Sequence, residues 1–82
     1  MSYFQDFVQD ADPIISHSAQ LLEETTTQYQ SGALSKAEYT ELTSDILDYN
    51  HIIANITDMA RQQYIYDSFQ KLLSIVTTIL SL

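Results

Sequence analysis

The chain has 82 residues, no cysteine, one glycine, one proline and a formal net charge of −8, with 11 acidic residues against Lys36, Arg61 and Lys71. One small domain is all this length supports, and such a domain buries only about 60% of the surface its unfolded chain exposes, so assembly with other chains is a natural source of stability. The absence of cysteine excludes a disulfide framework and a thiolate metal site, and the lack of any Lys or Arg before Lys36 argues against binding nucleic acid or an anionic membrane through charge.

The opening residues, MSYFQDFVQD, hold neither a basic start nor a long apolar run. No secretory signal is expected, and a cytoplasmic location is. Residues 1–31 form the first helical arm. Phe4, Val8, Ala11, Ile15, Ala19, Leu22, Thr26 and Tyr29 recur at steps of three or four and keep one face largely apolar. Asp12 before Pro13 reads as an N-cap followed by proline at the first helical position. The apolar phase carries across Pro13, so the arm is either kinked there or opened by a separate short helix. Pro13 to Gln30 is predicted helical.

The stretch YQSGALSKAEYTEL, residues 29–42, reverses the chain. Gly32 suits a left-handed helix end. Ser35 and Glu38 have the spacing of a capping box, and Leu34 and Tyr39 flank it as a hydrophobic staple. Residues 32–35 are therefore a turn.

Residues 36–82 form the second arm, free of glycine and proline. Tyr39, Leu42, Ile46, Tyr49, Ile53, Ile56 and Ala60 continue the helical period, and an unbroken helix would be about 70 Å long. The phase slips near Ala60 and resumes as Met59, Tyr66, Phe69, Leu73, Val76 and Leu80. Such a slip marks either a stutter in a long helix or a break at NITD, residues 55–58, whose polar side chains favour caps. The expected fold is all-α: an antiparallel helical hairpin with a long second helix, the favoured form, or a three-helix arrangement broken near 55–58.

Little in this pattern carries catalysis. Asp48 and His51 have the spacing of carboxylate–histidine ligands in helical bundles, but those sites need a second such pair and none exists. In SHS, residues 16–18, neighbouring side chains diverge on a helix, and no glycine-rich backbone offers an oxyanion hole or phosphate loop. NIT, residues 55–57, matches a glycosylation acceptor only by accident if there is no secretory signal. No enzymatic activity, metal or cofactor is expected.

The aromatic residues and the tail point instead to contact with protein. Tyr64 and Tyr66 cannot share a helix face, so at least one is expected outside the core, and tyrosine is enriched in interfaces. From Leu72 to Leu82 no side chain is charged. As a helix, this tail puts Leu72, Leu73, Val76, Ile79 and Leu80 on one side and Ser74, Thr77, Thr78 and Ser81 on the other. KLLSIVTTILSL is too short to span a bilayer, and interfacial membrane helices normally carry basic residues that this one lacks. The expected contact surface is Tyr64, Tyr66, Phe69, Leu72, Leu73, Val76, Ile79 and Leu80, facing a protein partner or a second copy. Packing of the tail within the chain's own core is the alternative.

Glu23, Glu24, Glu38, Glu41, Asp45 and Asp48 fall mostly off the apolar stripes, as a solvated face should. They also support a second reading, an acidic module that occupies a basic partner surface as a regulator, inhibitor or mimic of nucleic acid. SGALSKAEYTELTSDIL, 17 residues, resembles the turn-and-helix pattern of small all-helical virion or accessory proteins of tailed bacteriophages. The shared elements are helix-capping chemistry. The resemblance implies a structural role in a multi-copy particle and a virion-associated location. It carries over no catalytic or binding residue.

Overall fold

In the computed structural model, which describes residues 3–82, the chain is all-α, with no strand among the described residues. A short α1 (Gln5–Val8) precedes α2 (Pro13–Gln30) and α3 (Lys36–Ile46). A one-turn α4 (Tyr49–Ile52) runs into a 3-10 turn (Ile53–Asn55), and α5 (Met59–Leu80) completes the chain.

Each boundary has a local cause. Asp12 is extended, and its Oδ1 accepts the Ile14 amide at 3.0 Å, with Pro13 in the first turn. The Asp10 carboxylate accepts the Asp12 amide at 2.8 Å. These bonds hold a turn between α1 and α2, so the first arm is interrupted rather than kinked. At the other end of α2, Gly32 has φ +86°, the Ala33 amide bonds to the Gln28 carbonyl at 2.8 Å, and the Gly32 amide to that of Tyr29 at 3.1 Å. This is a Schellman ending. The capping box of α3 is complete: the Glu38 amide donates to Ser35 Oγ at 3.1 Å and the Ser35 amide to Glu38 Oε1 at 2.9 Å.

The favoured long second helix is not formed. The helix stops at Ile46, and residues 47–58 make a connection that starts earlier than the predicted break at 55–58. Two aspartates cause it. Asp48 caps α4 through the His51 amide at 3.4 Å, and Asp58 caps α5 through the Ala60 and Arg61 amides at 3.0 and 3.2 Å.

The broken arm lets three helices meet. α3 folds back on α2, where Tyr39 stacks on Tyr29 with centroids 4.5 Å apart and shares a 2.6 Å hydrogen bond with Thr26. α5 begins beside the start of α2, held by Arg61 to Asp12 and by the Tyr64 hydroxyl, which donates to Asp10 at 2.5 Å. On α2, the Phe4 amide donates to Glu23 at 2.8 Å and Ser16 Oγ to the Val8 carbonyl at 2.7 Å, so residues 4–8 run opposite to α2. Phe4, Ile15, Leu22, Tyr39, Ile65 and Leu72 are fully buried in the core these elements share. Among the described residues every buried side-chain polar atom has a partner.

Leu72 is 0% exposed. Leu72→Ala is expected to cost about 2–5 kcal/mol, read as a lower urea midpoint. A loss below about 1 kcal/mol would mean that the core does not close around this residue.

Candidate interaction surfaces

The eight side chains expected to face a partner divide into two groups. Phe69, Leu72, Val76 and Ile79 are at most 3% exposed and belong to the chain's own core. That corrects the expectation for these four: the folded monomer already covers them. Tyr64, Tyr66 and Leu73 are 49%, 42% and 46% exposed, and Leu80 is half-buried. The uncharged outer side of the tail also satisfies itself. Thr77, Thr78 and Ser81 donate to the carbonyls of Leu73, Ser74 and Thr77 at 2.9, 3.0 and 3.0 Å. These hydroxyls need no partner to be hydrogen-bonded.

One line along the outer side of α5 is ordered. Met59 (81% exposed), Tyr66, Leu73 and Leu80 follow one another at intervals of seven residues. Gln63, Gln70 and Thr77, all exposed, fall between them, giving alternating steps of four and three. This is the spacing of a coiled-coil seam, here with no charged member. Tyr66 meets the Tyr49 ring in a T-shaped contact, centroids 5.3 Å apart at 75°. Tyr49 is fixed in turn by its hydroxyl, which donates to the Gln62 carbonyl at 3.2 Å. Tyr64 points elsewhere: its bond to Asp10 raises its pKa above the ordinary phenol value and ties it to the chain's own fold. Met59, Gln63 and Gln70 were missed as surface residues. Their signal is the seven-residue spacing, merged in the sequence with the adjacent core row.

A second surface lies on α3. Leu34, Glu38, Glu41, Leu42 and Asp45 line a hollow of about 250 Å³, with Leu42 40% exposed and no Lys or Arg in its wall. The Glu38 carboxyl is held below the usual range by the Ser35 backbone amide and hydroxyl. Glu23 and Glu24 line a separate hollow of about 290 Å³ with Gln5, Val8 and Gln20. Five of the six predicted acidic residues therefore divide between these two hollows, and Asp48 is the cap of α4.

His17 lines an apolar hollow of about 410 Å³ with Pro13, Ile14, Ser18 and Ile52. His51 is exposed, and its neighbour Asp48 is engaged as the cap of α4. Among the described residues no three His, Cys, Asp or Glu side chains converge to hold a metal ion, and no helix is long and apolar enough to cross a membrane.

Electrostatically the central feature is Asp12. Arg61 Nε meets its Oδ2 at 2.8 Å and Nη2 its Oδ1 at 3.1 Å. This fork holds the Asp12 carboxyl below its ordinary value of 3.8, against the opposing effect of burial. A carboxyl depressed in the folded state stabilises fully above its unfolded value, and that contribution fades as pH falls through the lowered folded one. Stability should therefore begin to drop just below pH 4 and continue downward. Asp12→Asn keeps a capping oxygen and removes the charge. It should lower stability at pH 7 and flatten the part of the acid limb due to this group, as read by urea midpoints against pH. An unchanged acid limb would show that the pair contributes nothing.

No protein-family description, curated protein or solved structure matches the chain.

Proposed function

We propose that this chain is a non-enzymatic assembly protein that meets other protein chains, copies of itself or a partner, through the exposed side of α5. The observation that carries this reading is the uncharged seven-residue repeat Met59–Tyr66–Leu73 on an otherwise acidic molecule. Scattered exposed apolar residues need no explanation, whereas apolar residues repeated every second turn along one uncharged line do. Ten of the 11 acids precede Met59, and α5 holds only Asp67 against Arg61 and Lys71. Depletion of charge with enrichment in Tyr and Met is the composition of interface centres. A role in a multi-copy particle such as a phage virion is the form of this proposal that the resemblance of residues 31–47 suggests.

The α3 hollow favours a second reading, an acidic module for a basic partner. Glu38, Glu41 and Asp45 surround an apolar floor without a compensating cation.

Light scattering at low and high salt separates the two. Under the assembly reading, the full chain has a mass above the monomer that high salt does not lower. Leu73→Lys, at an exposed position, should keep the melting temperature within a few degrees and return the mass to the monomer. Monomers for both chains would end self-assembly. Under the acidic reading, a Lys-rich amphipathic peptide binds, salt weakens it steeply, and Glu41→Gln with Asp45→Asn abolishes it.

A further inference from the structure

Resting on the assembly reading, we infer that the occupant of the α5 face is a second copy of this chain, packed antiparallel about a two-fold axis with Tyr66 of one copy opposite Leu73 of the other. Charge chooses the face. Two copies of a −8 molecule repel wherever acids meet, and α5 is the one long helix whose own charge is not negative. Pairing through it leaves Asp67 as the one acid carried by each contacting helix.

Side-chain complementarity chooses the direction. In this register Met59 falls opposite Leu80 and Tyr66 opposite Leu73, so each longer side chain meets a shorter one. The two Gln70 residues meet near the axis. Within one chain the Gln70 side chain makes no hydrogen bond among the described residues, and two amides related by a two-fold axis can donate to each other. A polar side chain in such a seam fixes register at some cost in stability. Asp67 flanks the seam, with Lys71 one turn on and about 40° further round the same side, and the antiparallel register brings Asp67 within one residue, about 1.5 Å of rise, of the level of Lys71 in the other copy. Neither forms an ion pair within the chain, where Arg61–Asp12 is the one ion pair among the described residues. Parallel pairing would set Asp67 against Asp67 and Tyr66 against Tyr66.

The contact is a single helix pair about 33 Å long. That is the low end of specific interfaces, so association is weak and rises with concentration. It suits a chain whose own core is already closed.

The chain has no cysteine, so Tyr66→Cys and Leu73→Cys each introduce a unique thiol. Equal amounts of the two variants are mixed in a glutathione redox buffer, and the disulfide-linked species are resolved by mass. The mixed Tyr66→Cys/Leu73→Cys dimer should exceed either homodimer by about fivefold or more, because only facing positions meet the Cα separation a disulfide needs. Statistical proportions, or an excess of homodimers, overturn the antiparallel register. Sedimentation of the cysteine-free chain supplies the second measurement. Asp67→Lys should weaken dimerisation by about threefold, and adding Lys71→Asp should restore it. A dimer indifferent to both changes also overturns the register, while leaving α5 as an assembly face. Monomers at every concentration overturn the register and self-assembly together, and leave only a different protein as the partner of α5.

Discussion

The disposition of the long helices depends on the carboxylate of Asp12. One of its oxygens caps α2 through the Ile14 amide and also meets Arg61 Nη2, while the other takes Arg61 Nε. A single side chain therefore begins one helix and anchors the beginning of another. With the two starts together, Ile15, Ala19 and Leu22 of α2 and Ile65, Phe69 and Leu72 of α5 enter one core. The ion pair itself is modest in energy, since the Arg61 side chain is 39% exposed and surface pairs are worth little. Its effect is on alignment, and burial of apolar surface supplies the stability. The connection from 47 to 58 makes this possible: a second arm that stayed helical could not deliver Arg61 to Asp12.

Much of this was legible from short-range chemistry. Asp12–Pro13, Gly32 and the Ser35/Glu38 pair are signals contained within a few residues, and each boundary stands where those residues put it. The break after Ile46 was harder to read, because Asp48 and Asp58 act there without proline or glycine. Tyr49, Ile53 and Ile56 keep a helical spacing, yet they are half-buried from turns and short helical segments rather than from one long helix. The tail was harder still. Two apolar rows run side by side on α5, Ile65–Leu72–Ile79 inward and Met59–Tyr66–Leu73 outward. Composition shows that both exist. Which one the core takes is decided by the position of α2, fixed by a contact between residues 49 apart in sequence.

The absence of charge from the tail has a local explanation as well. Serine and threonine hydroxyls bonded to carbonyls of the preceding turn occur along α2, α3 and α5 alike, as in Thr25 to Leu21, Thr40 to Lys36 and Thr77 to Leu73. They make a surface polar without making it charged. The helix ends show a matching asymmetry. Asp12, Asp48 and Asp58 place negative charge at three helix starts, where the dipole favours it, while the last turns of α2, α3 and α5 carry no basic residue. The end of α2 is closed by backbone geometry at Gly32 instead.

The three basic residues all lie within helices. Lys36 opens α3 beside its capping box, Arg61 is in the first turn of α5 and paired with Asp12, and Lys71 lies near the middle of α5. The connection over 47–58 contains no Lys or Arg. An enzyme that cuts after lysine or arginine thus finds no site in a loop of this molecule. It must wait for α3 or α5 to open, so its cutting rate reports the opening of those helices rather than the mobility of the chain between them.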